Sequence, residues 1–291
     1  MRRLIVTADD FGAAPQVNDA VELAHREGVL TSASLMVAAP GTSDAVARAK
    51  TMPRLRVGLH LVLVEGRPTS PIADLPDLVT RRGVFRTDMA ALGAEAFFRP
   101  KVRRQFAAEI DAQFAAFAAT GLPLDHANAH KHYHLHPTIA GLMLAIGRRY
   151  GLSASRAPIE PRAVLAAVEP GATPGPAFLT EPWARRLRAR FRRAGIAVAD
   201  QVFGLAWSGH MTAPRVAGIA RHLSEGLSEL YLHPATAGGF EGAADGYDYA
   251  GELSALLSTQ VRQACVDANV TLGGFSDFRT HSPVPTRRED A

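Results

Sequence analysis

Five of the eleven histidines stand in one short stretch, His126-Ala-Asn128-Ala-His130-Lys131-His132-Tyr133-His134-Leu135-His136. Imidazoles at that density suit metal ligation, hydrogen bonds that fix a neighbour's tautomer, or the lining of a polar substrate site. In extended backbone the even-numbered positions fall on one side, and Pro137 then favours a helix start with His136 near its N-cap. A solvated polar loop is the plainer alternative. Near the N-terminus, Thr7-Ala8-Asp9-Asp10-Phe11-Gly12 sets two adjacent carboxylates after an apolar run. One of such a pair can bind a cation while the other stays free to hold a proton, although an aspartate also often caps a helix. His60 interrupts the apolar segment Arg56–Val64, where it needs a polar partner. His233 ends Leu230-Tyr231-Leu232-His233 and could donate a proton to a leaving group, and Arg156 could orient Asp9 or a bound polar group. Two imidazoles and a carboxylate, with water in an open position, make up a catalytic zinc site.

Such residues lie far apart in the chain and must be gathered by strand ends. Leu4–Ala8 reads as a buried parallel strand, and Pro15 opens a helix that Gly28 ends. The alternation continues with strands expected at Ser34–Ala38, Arg56–Val64, Leu122–Asn128, Leu152–Arg156, Ile196–Phe203, Ser228–His233 and Val270–Phe275. Helices are expected at Ser43–Lys50, Lys101–Ala119, Thr138–Tyr150, Trp183–Arg193, Pro214–Leu223 and Tyr249–Ala268. Seven or eight strands separated by helices predict an α/β fold, a (β/α) barrel either closed or incompletely closed, with a doubly wound open sheet as the other option. One catalytic domain is expected over residues 1–280, with an insert at 65–100 and a polar tail at 281–291. The insert carries Phe85, Met89, Phe97 and Phe98, which would pack on the barrel, wall a lipid group or touch a membrane.

Composition narrows the classes. The 291 residues are 47% apolar and 21% charged with one cysteine, which excludes low-complexity disorder and a disulfide scaffold. No apolar run reaches the roughly 18–20 residues of a membrane span, and no secretory h-region follows Met1. A cytoplasmic protein is expected, with peripheral contact to the inner membrane as an option. The formal charge of +4 comes from scattered arginines without interleaved aromatics, so no nucleic-acid partner is expected. Dinucleotide, P-loop and serine-hydrolase motifs are missing.

The segments TADDFG, GLHL, HANAHKHYHLHP and LHPA, in this order, resemble the YdjC-like carbohydrate deacetylases, which include chitooligosaccharide deacetylases. SLMVAAP, VGLHLVLVEGRP, FFRPKVRRQ and TGLPLDHANAHKHYHLHP are similar to the branch associated with hopanoid biosynthesis. The resemblance spans about Arg3 to Phe275. It implies a (β/α) barrel and a hydrolase holding one divalent metal ion, zinc first, with magnesium or another divalent ion as the alternative. Asp10, His60 and His130 would be the ligands, Asp9 the general base and His233 the general acid. The substrate would be an N-acetylglucosaminyl hopanoid or a chitooligosaccharide. Asn128 stands where relatives often carry aspartate, so hydrogen bonding is its expected role. His126, His132, His134 and Arg156 are expected to contact substrate or support the ligands, and a homodimer is compatible with the pattern. A metal-dependent phosphoesterase and a non-enzymatic glycan-binding module are the competing functions.

Overall fold

Apolar runs bounded by turn residues become parallel strands here, and the amphipathic stretches between them become the helices that cover the sheet. In a computed structural model the described residues are 1–171 and 180–279. The strands are β1 (Arg2–Phe11), β2 (Ser32–Leu35), β3 (Arg56–Leu61), β4 (Ala127–Ala129), β5 (Gln201–Phe203), β6 (Gly226–Leu232) and β7 (Val270–Leu272). The helices are α1 (Pro15–Glu27), α2 (Thr42–Lys50), α3 (Met89–Phe98), α4 (Pro100–Ala119), α5 (Pro137–Gly147) and α6 (Arg162–Val168). They continue as α7 (Glu181–Arg193), α8 (Ala213–His222), α9 (Tyr249–Leu257), α10 (Thr259–Asp267) and α11 (Phe275–Phe278). The tail expected at 281–291 lies outside the described residues.

The strand order is β4-β3-β2-β1-β6-β5, all parallel, with β7 paired to the start of β1. The sheet curls, and the gap between its outer strands is crossed by the isolated parallel bridges Ala127↔Ser155 and Ala154↔Ala197. It is therefore an α/β half-barrel, incompletely closed, as the alternation of elements predicts. Leu152–Arg156 supplies those bridges rather than a strand of its own. The expected strands at Leu122–Asn128 and Ile196–Phe203 shrink to three residues each, because a strand at an open seam lacks one continuous neighbour. The expected helix Tyr249–Ala268 is two helices, α9 and α10, parted at Ser258, whose extended backbone (φ −64°, ψ 129°) interrupts the helical ladder.

The 3.6-residue period of α4 does what it predicts: Val102, Phe106, Ile110, Phe114 and Phe117 are all buried. The same helix ties down the insert, since buried Glu109 accepts from the backbone N–H of Thr69 (2.8 Å) and Ser70 (2.9 Å). Phe85 is wholly packed, but Phe97 and Phe98 at the end of α3 are 58% and 77% exposed.

Candidate metal centre

β1 carries the two aspartates, and a one-residue irregularity separates their roles. Its register with β2 shifts between Ala8 and Phe11, and Asp10 has φ 62°. Aspartate tolerates that left-handed backbone better than most residues. The kink turns the Asp10 carboxylate toward the strand ends while Asp9 stays inside the barrel, 2% exposed. On β3, His60 lies opposite Asn128 of β4. His130 follows β4 directly, at the head of a short kinked segment of 3-10 turns, His130–Leu135.

Asp10, His60 and His130 each point one ligand atom into a common space, all within 4.8 Å of one another. His60 Nε2 and His130 Nδ1 are each 3.3 Å from Asp10 Oδ1. That oxygen is buried and nevertheless accepts no hydrogen bond. Two imidazole nitrogens and an unpartnered carboxylate oxygen aimed at one point fit a divalent cation. The neighbouring imidazoles hold the Asp10 carboxyl below the usual carboxylate range against the upward push of burial.

Beneath this point lies a buried polar layer. Asp9 accepts from both terminal nitrogens of buried Arg156, at 2.5 and 3.0 Å, and from Asn128 Nδ2 at 3.2 Å. Burial raises the Asp9 pKa, but Arg156 and His60 together outweigh it and leave the carboxyl far below its ordinary value. Arg156 also donates to Glu229 Oε1 from Nε (3.1 Å) and Nη2 (2.9 Å), and its guanidinium lies 4.3 Å from the Tyr231 ring centroid. Flanked by two carboxylates, Arg156 stays charged despite full burial.

The histidine cluster does not line up on one side. Lys131 and His132 take left-handed backbone (φ 52° and 53°), which breaks the alternation expected for an extended segment. His132 faces the cavity and shares a 3.0 Å hydrogen bond with the Tyr231 hydroxyl. His134 is buried and donates to the Arg156 carbonyl at 2.9 Å, and desolvation lowers its pKa to about 4. His126 is buried behind Asn128, and His136 packs on Tyr133 outside the site.

A cavity of 570 Å³ opens over these groups, within the roughly 300–1,000 Å³ of small-molecule sites. Asp9, Asp10, His60, His130, His132 and His233 all line it. His233, at the end of β6, presents an unpartnered Nδ1, and its backbone N–H is held by Glu252 at 2.6 Å. Six residues singled out in the sequence thus meet in one chamber, Asn128 and Arg156 stand beneath it, and His126 and His134 do not reach it. The sequence reading passed over Ser34, Asp125, Glu229, Tyr231 and Glu252. Glu229, a carboxylate amid the apolar β6, carried the same signal that picked out His60.

Comparison with known proteins places this chain among relatives. The model of a family described as YdjC-like protein matches residues 3–267. A carbohydrate deacetylase of Brevibacillus brevis is 43% identical over 148 residues, which cover 51% of this chain and 56% of the relative. A human carbohydrate deacetylase is 31% identical over 315 residues, covering 97% of this chain and 92% of the relative. One of Geobacillus stearothermophilus is 39% identical over 55% of this chain and 60% of its own length. The chain thus spans little more than half the length of the two bacterial relatives. A crystal structure from Enterococcus faecalis V583, whose description names cellobiose-phosphate cleavage, superposes with a TM-score of 0.74 at 23% identity. That match covers 96% of this chain and 99% of the other; at this identity the likeness shows the fold.

Proposed function

The chain belongs to the YdjC-like protein family, and on that footing we propose that it is a metal-dependent N-deacetylase, a hydrolase releasing acetate from an N-acetylated amino sugar. The observation that carries this reading is the convergence of Asp10, His60 and His130 on one point beside the Asp9–Arg156 pair. These three residues would hold one divalent ion, and two imidazoles with a carboxylate suit zinc. Once bound, the ion polarises an amide carbonyl and makes water more acidic.

The chain's own groups do the rest. Asp9 is ionised at neutral pH, and its two oxygens are oriented by Arg156 and Asn128. It receives the proton of the water that attacks the acetamide carbon. His233 gives a proton to the departing nitrogen, which leaves poorly as an anion. Acetate and a free amine are the products. His132 and Tyr231 offer the sugar hydroxyls hydrogen-bonding partners from the cavity wall.

The finer substrate is an N-acetylglucosaminyl hopanoid. In support, a second cavity of 320 Å³ adjoins the first at Asp10, Glu65, His130 and Gly242, and Met36, Val37, Val62, Val84, Phe85 and Phe240 give it an apolar wall. Several of its polar neighbours are paired with other protein groups: Gln113 with the Val62 backbone, Arg67 with Glu241, and Glu65 with Lys131. A cytoplasmic enzyme peripheral to the inner membrane fits exposed Phe97 and Phe98 beside Lys101, Arg103 and Arg104. No helix among the described residues is long and apolar enough to cross a membrane. The test is acetate release by zinc-loaded protein from N-acetylglucosaminyl hopanoid and from N,N′-diacetylchitobiose. Acetate from neither overturns the deacetylase, and preference for diacetylchitobiose overturns the lipid substrate.

A further inference from the structure

Behind the metal centre, Ser34, His126 and Asp125 stand in the order of a nucleophile–base–acid triad. Ser34 Oγ is 3.0 Å from His126 Nε2, and His126 Nδ1 is 3.1 Å from Asp125 Oδ2. Ser34 and His126 are fully buried, Asp125 is 5% exposed, and none of the three lines the chamber over the metal centre. Substrate cannot reach this trio, but Asn128 can, donating from Nδ2 to Ser34 Oγ at 3.0 Å.

The donor and acceptor types give each bond in the chain one direction. The Asp9 carboxylate, paired with the Arg156 guanidinium, lies 3.2 Å from the Asn128 amide, so the amide nitrogen faces it and the amide oxygen faces His60. That oxygen accepts only, so the 2.7 Å bond to His60 Nδ1 places the imidazole proton on Nδ1 and leaves the Nε2 lone pair toward Asp10. The second amide N–H goes to Ser34 Oγ, whose own proton is then free for His126 Nε2. His126 keeps its proton on Nδ1 for Asp125, and Asp125 is anchored by the backbone N–H groups of Phe275 (3.2 Å) and Ser276 (2.8 Å) at the head of α11. Gly58 leaves room for the imidazole, since a Cβ there would overlap the His126 ring. An aspartate at 128 could supply neither N–H.

We infer that Ser34 and His126, anchored by Asp125, are positioning residues that act through Asn128 to hold His60 in its Nδ1–H tautomer, ready to ligate through Nε2, and to hold Asp9 in place. The inference rests on the metal-binding reading above only for its consequence. The tautomer itself is observable in the metal-free protein at alkaline pH, where the His60 ring, its pKa raised against the lowering effect of burial by Asp9 and Asp10, has lost its second proton.

The experiment compares wild type with Ser34→Ala, which removes one hydroxyl, and Asn128→Asp, which is isosteric. Long-range 1H–15N correlation spectra of histidine-labelled, metal-free protein read the His60 ring directly, and zinc affinity is measured by chelator competition. At alkaline pH, where its ring is neutral, wild-type His60 should show a single Nδ1–H form. Ser34→Ala should mix the two tautomers and weaken zinc about tenfold, within the 10- to 100-fold range for such supporting partners. Asn128→Asp should weaken it further. A neutral wild-type His60 ring with its proton on Nε2, or Ser34→Ala with wild-type ring signals and zinc affinity, would overturn the inference. If wild type binds no zinc while His60 still shows the Nδ1–H form that Ser34→Ala disturbs, the metal reading fails and the relay stands.

Discussion

The rim of the half-barrel and the layer beneath it draw on the same side chains, aspartate and histidine, but dispose of their lone pairs differently. At the rim, Asp10 Oδ1 and His233 Nδ1 are buried without partners and face an open chamber. One layer down, Asp9 accepts three hydrogen bonds, Asp125 accepts three, and Arg156 bridges two carboxylates. Unmet polar capacity costs stability. The lower layer is the more fully bonded, although Glu229 Oε2 and His134 Nδ1 there are also buried without partners, and its bonds keep the rim atoms aimed.

The sharpest way to break this contrast is to treat both layers alike. Asp10→Ala and His60→Ala should lose stoichiometric zinc and all turnover. Asp9→Asn should retain zinc and lose about 10²- to 10⁴-fold in rate, the usual worth of a general base. Metal analysis beside acetate release checks both, and equal zinc loss in all three variants would erase the distinction. Arg156→Met addresses the lower layer. It leaves Asp9 and Glu229 buried without their shared cation, and guanidinium unfolding should show a loss of about 3–5 kcal/mol, as for other broken buried pairs.

A smaller effect is expected from pH. Buried His134 has its pKa lowered from 6.5 to about 4, so between these values the unfolded chain binds a proton that the folded one refuses. Stability should therefore fall as pH drops from 6.5, by roughly 2 kcal/mol on reaching about pH 5. His134→Gln keeps a donor for the Arg156 carbonyl and should flatten that slope in urea titrations. An unchanged slope would place the acid sensitivity elsewhere. Asp9 acts with the same sign in a lower window: its depressed pKa contributes stability that is fully present above its ordinary value of 3.8 and is lost as pH falls below it.

Much of the rim was readable from the chain because each of its residues breaks a local pattern. His60 is polar in an apolar strand, Asp9 and Asp10 end one, and His233 ends another. The histidine stretch stood out by its density, but which of its rings reach the chamber was not legible. Two left-handed residues, Lys131 and His132, undo the alternation that would have set all five rings on one side. Ser34 carries no such signal, since a serine in a short strand is ordinary.

Periodicity and residue type, read along the chain, determined the parallel α/β architecture and the kinds of groups gathered at its strand ends, because both follow from which side chains avoid water and how far apart they recur. Pairing was decided only in three dimensions. Asn128 meets His60, Ser34 and Asp9 across 68, 94 and 119 residues of sequence, and Arg156 meets Asp9 across 147. A hydrogen bond reaches about 3 Å, so whether an aspartate faces a cation site or an arginine depends on register and a single backbone kink, which no local pattern encodes.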